Sequence, residues 1–387
     1  MVLNQVRSLK LKKIHNSIIM LKINKLYILS VMLLFSLLTV SCGDEGKGGQ
    51  EDDGSKSTLQ KARGEAGEVI LVIPPSLWEG QLGDLLREIF TSNVTVLPQD
   101  EKLYDLKPVD PSKFNSVFKA SQNLMFVATL DNEKPEGKYM KKYFTENSLN
   151  QIEKNPDLFS FNQEDVYARG QEVLYLFGRN EEELIKNINS NRSGIKEFFN
   201  DKEAERLVAS FKKTAQKGIM NYIQDSLNLE LIVPVGFDVA QKSEDFIWVR
   251  ELDSKEEYNI WMVKMPYNDE SVFDPDQIKS FRNSLGEKYI TDKDLPDLHL
   301  TSQDEMDFVI DTINLNNNYA LRIKGLWKYS DNSRGGSFVS YLFANEESGD
   351  LYYLEGYVDA PGESKREPMR RLKAILGTAK VPESIKD

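Results

Sequence analysis

Cysteine and histidine carry most nucleophilic, metal-binding and proton-relay chemistry, and this chain is poor in both. It has one cysteine, Cys42, and two histidines, His15 and His299. A single cysteine gives no intramolecular disulfide and no thiolate metal site. Past Cys42 only His299 remains, which excludes a zinc centre built on two or three histidines of that part of the chain. A Ser-His-carboxylate or Cys-His relay would have to run through His299. That residue ends the polar stretch Asp292-Lys-Asp-Leu-Pro-Asp-Leu-His299 and reads as an ordinary loop or strand-edge histidine. Phosphate-loop, dinucleotide GxGxxG and EF-hand patterns are missing, so no cofactor and no metal is expected. Any catalysis falls to carboxylates, Lys, Tyr or Ser.

Carboxylates are abundant, but a glycosidase-type pair needs two of them about 5–9.5 Å apart across a sugar site. Nothing in the spacing places two there. Glu355, on a predicted strand among apolar and aromatic neighbours, is the first to inspect; an exposed or paired strand residue is the plainer reading. Aromatic residues are dense after residue 228: Trp248, Trp261, Trp327, Tyr329, Tyr341, Tyr352, Tyr353 and Tyr357. They can pack a core, stack on sugar rings or form a partner surface. Strand alternation sets Arg322, Lys324 and Leu326 on one face and Leu321, Ile323 and Trp327 on the other. Arg322 and Lys324 either bind an anion or form a solvated face. Arg334, in the loop Asn332-Ser-Arg-Gly-Gly336, offers a cation beside backbone N–H groups. Weak binding candidates are therefore Trp327, Arg322, Arg334 and Glu355.

Cys42 has a different setting. Residues 1–41 hold six basic residues and no acidic one, and an apolar run from Leu26 to Val40 leads to Ser41 and Cys42. As a helix that run spans about 22 Å, short of a hydrocarbon core of about 30 Å. A basic segment, a short apolar segment and a small residue before the cut describe an export signal. With cysteine at the cut, the site resembles the lipobox of bacterial lipoproteins, although Thr39 stands where that pattern prefers Leu. The resemblance implies lipid on Cys42 and a membrane partner reached through it. Met20 is an alternative start, because Met20–Ser41 alone makes a normal leader.

Removing six basic residues and no acidic one from a chain of net charge −12 leaves −18 after the cut. That disfavours nucleic acid and anionic lipid surfaces, which need a basic footprint. Residues 42–67 are mostly Gly, Asp, Glu, Lys and Ser and form a flexible acidic tether. The early acids, Asp44 and Glu45, resemble surface-export signals of some lipoproteins; a solvated spacer is the other reading.

Two folded regions are expected, 68–227 and 228–387. In the first, Glu68–Ile73, Leu124–Leu130 and Glu172–Phe177 read as buried strands. Ser76 and Glu79 read as a capping box ahead of a helix carrying Leu82, Leu85, Leu86, Ile89 and Phe90. Asp110-Pro111 starts another, and Asn180 with Glu183 starts a helical stretch to about Leu227, broken near Ser190–Gly194 and Gly218. In the second, Leu229–Val233, Phe246–Glu251 and Tyr258–Met265 read as strands, and Asp274-Pro275 starts a helix. Met306–Leu315, Tyr319–Tyr329, Ser337–Asn345 and Leu351–Ala360 follow with short turns, an antiparallel meander. A helix over Glu367–Leu376 should pack on it. The fold class is α+β (mixed α/β): two α-β sandwich domains, the second with the meander and the C-terminal helix. Asp225-Ser-Leu227 and Asp311-Thr-Ile313 resemble short O-glycosylation tripeptides.

The series Glu68-Val-Ile-Leu-Val-Ile73, Leu77-Trp-Glu-Gly-Gln-Leu-Gly-Asp84, Gly325-Leu-Trp327, Gly335-Gly-Ser-Phe-Val-Ser-Tyr341 and Glu355-Gly-Tyr-Val-Asp-Ala-Pro361 resembles an uncharacterised family of bacterial, Bacteroidetes-type envelope lipoproteins catalogued as a domain of unknown function. The resemblance implies a location, the cell envelope and its outer membrane, on the surface or the periplasmic side. It implies no activity and no catalytic residue. Val233-Pro-Val-Gly-Phe237 followed by Asp245-Phe-Ile-Trp248 is similar to the opening of small envelope and photosystem-associated α-β-α domains, a likeness of fold only. The expected role is a non-enzymatic binding or assembly module for an envelope protein or glycan; the alternative is a carboxylate-based hydrolase of envelope polysaccharide or peptidoglycan.

Overall fold

The structure, a computed structural model, describes residues 59–291, 295 and 297–382. The export signal, Cys42 and residues 42–58 of the expected tether lie outside the described residues; within 59–67, Ala62 is buried and Lys61 and Arg63 pair with Arg169 and Ser121. Among the described residues no helix is long and apolar enough to cross a membrane.

The first region alternates strand and helix. In chain order it runs β1 (Glu68–Val72), α1 (Pro75–Trp78), α2 (Gln81–Phe90), β2 (Asp105–Val109), α3 (Ser116–Lys119), β3 (Asn123–Thr129), α4 (Pro135–Lys141), α5 (Glu146–Lys154), β4 (Ser160–Glu164), β5 (Glu172–Gly178), α6 (Glu181–Ser190), α7 (Arg192–Lys213) and α8 (Lys217–Leu227). The sheet order is β2-β1-β3-β5-β4, with only β4 antiparallel to its neighbour. Strands buried on both faces read as unbroken apolar runs, as β1, β3 and β5 do. Val69, Leu71, Met125 and Val127 face α2, α6 and α7; Ile70, Val72, Phe126 and Tyr175 face the opposite layer, with Met140 and Ile152. Edge strands β2, with Pro108, and β4, mostly polar, have no such run.

The capping box does not form. Pro74 precedes α1 without a side-chain cap, Glu79 ends that helix, and the Ser76 hydroxyl donates to Glu136 at 3.2 Å. Pro75 at the first helical position supplies the start by its fixed φ. Asp110 caps a single 3-10 turn, Pro111–Lys113, and a separate Asn115 cap opens α3. Asn180 does cap α6, accepting from the Glu183 N–H at 2.9 Å.

The second region contains β6 (Asp238–Lys242), β7 (Phe246–Leu252), β8 (Glu257–Pro266), α9 (Pro275–Tyr289), β9 (Leu300–Ser302), β10 (Val309–Leu315), β11 (Asn318–Tyr329), β12 (Gly335–Asn345), β13 (Asp350–Asp359) and α10 (Arg366–Leu376). The antiparallel order is β10-β11-β12-β13-β8-β7-β6, with β9 beside β11. The meander and final helix are as expected. Asn316 and Asn317 both take positive φ, 48° and 76°, as a tight hairpin turn demands. One face, with Ile260, Leu354 and Tyr341, packs on α8 and α10; the other, with Trp261, Leu342 and Tyr353, packs on Ile278 and Leu285 of α9. Leu229–Val233 is not a strand of the sheet. Leu229, Leu231 and Val233 are buried, but the backbone pairs at Glu230 with Lys380, the Val233 carbonyl accepts from Gln216 N–H at 2.8 Å, and Ile232 N–H bonds the Thr378 hydroxyl at 3.0 Å. Alternation reported burial of one side, not a ladder partner.

Helix α10 joins the two regions. Its first turn receives the Glu101 carboxylate, which accepts from Lys365 N–H at 2.7 Å, Arg366 N–H at 3.0 Å and the Ser364 hydroxyl. Burial pushes the Glu101 carboxyl up, but these donors outweigh it and hold it below its ordinary value. Arg366 pairs with Asp105 at 3.0 Å, and Arg370 reaches Asn200 of α7 at 3.0 Å.

Candidate binding site

Register sets the open end of the second sheet. On the α9 side, β7 presents Phe246, Trp248 and Arg250; opposite them on β8 lie Val263, Trp261 and Asn259. The next strand continues the same rows with Tyr353, Glu355 and Tyr357. Helix α9 covers the Phe246 end of these rows. Beyond its last turn the face stays open as a groove of about 440 Å³, a usual size for a ligand site. Trp248, Arg250, Glu257 and Tyr329 come from the sheet, Ile290 from the chain leaving α9, and Arg334 from the β11–β12 connection.

The groove's groups are held by their neighbours. Trp248 donates its indole N–H to Asn259 at 2.9 Å, and Asn259 in turn donates to Glu257 at 3.2 Å. Arg334 lies 3.0 Å from Asp359 and 3.7 Å from Glu257. Tyr329 meets Trp327 edge-on at 5.6 Å, and burial with the nearby Glu257 carboxylate pushes its hydroxyl up. Arg250 is exposed and has no ion-pair partner among the described residues. Two half-buried aromatics, one free guanidinium and one braced guanidinium make a surface suited to sugar rings, carboxylates or the anchor residues of a protein partner.

Of the four candidate binding residues only Arg334 lines this groove. Trp327 is fully buried and donates its indole N–H to the Val358 carbonyl at 3.2 Å, so it packs behind Tyr329 and offers nothing to a partner. Arg322 and Lys324 both pair with Asp311, at 2.9 and 3.2 Å, which satisfies the charge that an outside anion would need. Burial raises the Asp311 carboxyl, and those two cations overcome it and hold it low.

Glu355 is neither exposed nor in a cleft. Its side chain is fully buried, bidentate to Arg282 of α9 at 2.7 and 3.0 Å, and accepts from the Tyr353 hydroxyl at 2.5 Å. Arg282 also reaches Ser302 at 3.3 Å and lies over the Phe338 ring. A buried charge survives only when paired and hydrogen-bonded. This pair fixes α9 on the sheet and leaves Glu355 no proton work. His299 places Nδ1 3.1 Å from the Asp297 carbonyl, so it builds no nucleophile relay. Among the described residues no three His, Cys, Asp or Glu converge to hold a metal. Thr312 lies exposed on β10 and Ser226 sits within α8.

Sequence reasoning missed Arg250, Glu257 and Gln241. The i, i+2 pair Trp248 and Arg250 on one strand was the available signal, an aromatic followed by a charge on the same face.

Two family models divide the chain. Residues 62–212 match a domain of unknown function (DUF8532) and residues 216–378 another (DUF4837). The chain thus consists largely of catalogued domains of unknown function, as the resemblance implied, and two models share it. No curated protein matches. Among solved structures, a mutant of the protein Mog1 is 14% identical with a TM-score of 0.26, covering 41% of this chain and 92% of that one. The Ran-binding protein Mog1p of Saccharomyces cerevisiae is 13% identical at TM-score 0.24, covering 40% and 90%. LpqN of Mycobacterium tuberculosis, described as involved in cell envelope biogenesis, is 16% identical at TM-score 0.26, covering 40% and 83%. Likenesses this faint carry no argument about function.

Proposed function

We propose that this chain is an envelope lipoprotein, held to the membrane by lipid on Cys42, whose folded part binds an envelope protein or glycan without chemical turnover. The observation that supports the binding role is the groove at the end of α9, where Trp248, Tyr329, Arg250 and Arg334 stay at the surface while six other aromatics of the same region are buried. The chain's scarcity of cysteine and histidine fits a binding role better than catalysis.

The test compares wild type with a Trp248→Ala/Arg250→Ala variant as baits in detergent-solubilised envelope. One protein or polysaccharide should be enriched on wild type and lost on the variant; equal recovery on both overturns the groove assignment. The anchor is tested separately by mass spectrometry of membrane-extracted protein. Acyl mass on Cys42 is expected, and a Cys42→Ala variant that stays in the membrane fraction overturns it.

A hydrolase remains the second reading because Glu257 lines the groove and Asp359 shares Arg334 with it. Both carboxylates are engaged by Arg334, which argues against a free acid–base pair. Turnover of labelled peptidoglycan that Glu257→Gln abolishes would decide for it.

A further inference from the structure

The first sheet has an opening of its own. From β1 the chain steps to β2 on one side and then crosses to β3 on the other, so the strand order reverses direction between β1 and β3. In open parallel sheets the carboxyl ends of the strands at such a reversal are where ligands sit. A cleft of about 570 Å³ lies there, between Ser76 and Leu77 after β1, Thr129 and Asp131 at the end of β3, Lys134 ahead of α4 and Glu181 at the start of α6.

Several of its polar groups are not spent on the fold. Thr129 is only 3% exposed, lines the cleft, and its hydroxyl has no hydrogen-bond partner among the described residues. Its hydroxyl is left to a partner that enters the cleft from outside. Asp131 is an exposed carboxylate with no ion pair among the described residues. Glu181 gives one oxygen to the Leu82 N–H at 3.2 Å and keeps the other. Glu133, nearby, is already matched by Lys141 at 2.7 Å. Lys134 has no carboxylate partner among the described residues. Free carboxylates and a free ammonium thus share one cleft, and among the described residues no three acidic groups converge on a point as a metal ion would need.

We propose that this cleft binds a small zwitterion, an amino acid or the end of a short peptide. Its ammonium faces Asp131 and Glu181, the Thr129 hydroxyl completes its hydrogen bonds, and its carboxylate faces Lys134. The site is separate from the groove of the second sheet and does not depend on it.

The test is calorimetric titration and thermal unfolding of the full chain in detergent. The ligands are the common amino acids taken singly, dialanine, and the two half-ligands ethylamine and acetate. At least one zwitterion should bind and raise the unfolding midpoint, with each half-ligand roughly tenfold weaker or worse. Asp131→Asn and Lys134→Met should each weaken the zwitterion about tenfold. Thr129→Val should leave the midpoint of the unliganded protein close to wild type and yet weaken the ligand. No binding by any zwitterion at millimolar concentration overturns the proposal. So does ethylamine binding as tightly as the amino acid, or wild-type affinity in all three variants.

Discussion

Each sheet buries a glutamate, and the two are treated differently. Glu355 in the antiparallel sheet has Arg282 on both oxygens and Tyr353 beside them, all inside the layer between sheet and α9. Glu172, at the start of β5 in the parallel sheet, has Lys202 at 3.4 Å from one oxygen and no partner on the other. Burial pushes Glu172 up to about 7, and Lys202 only partly opposes it. The antiparallel sheet can place a carboxylate mid-strand because a helix brings a fork-shaped partner over it. The parallel sheet confines its glutamate to a strand end, where one flexible lysine serves.

The largest expected effect breaks the better-satisfied centre. Arg282→Ala leaves Glu355 buried without its partner and should cost about 3–5 kcal/mol in urea unfolding. The double variant Arg282→Met/Glu355→Leu should recover most of that loss, because apolar groups replace both charges. A double variant as unstable as the single would show that the pair's attraction, rather than the stranded charge, sets the cost.

Next comes Glu172. Its folded value of about 7 lies above the ordinary carboxyl value of 4.5, so the folded state holds the proton more tightly. The contribution is favourable below pH 4.5 and is lost as pH rises through 7. Glu172→Gln should therefore gain on wild type by about 2 kcal/mol between pH 4.5 and pH 8, measured as the difference in unfolding free energy. A pH-independent difference would mean that Lys202 compensates the charge fully.

Glu101 has the opposite sign. Its carboxyl is held below 4.5, so its grip on α10 is present above that pH and fades as pH falls through the lowered value. Glu101→Gln should cost about 1 kcal/mol at neutral pH and little in acid. Amide exchange at Lys365 and Arg366 should rise in the variant at neutral pH; unchanged exchange there would break the comparison. The smallest effect is expected at Trp248: Trp248→Ala, at the groove rim, should move stability by about 1 kcal/mol or less while removing most partner capture.

These differences explain which parts were legible in the sequence. Strands β1, β3 and β5 and the four-strand meander announce themselves, because burial on two faces or a short turn leaves a local mark. β2 and β4 do not, since an edge strand with Pro108 or a polar run needs only one neighbour. Leu229–Val233 carries the same alternation as a paired strand, but Gln216 and the tail at 378–380 take its backbone bonds. The site was less legible still. Eight aromatics were visible in the second region, but which two stay at the surface depends on where α9 stops. Glu355 among apolar neighbours was correctly conspicuous, yet its partner Arg282 sits on a helix that sequence spacing does not bring near it.

Helix α10 follows both sheets in the chain, buries Leu372, Ile375 and Leu376 on the second, and takes Glu101 from the first. Synthesis delivers it after everything it closes. Until it docks, a growing chain presents the apolar face of the meander and an uncapped junction at the same time, the kind of surface that chaperones hold and proteases cut. One short segment, made last, thus completes the fold, and a nascent chain stopped before Arg366 leaves the face that Leu372, Ile375 and Leu376 cover without them.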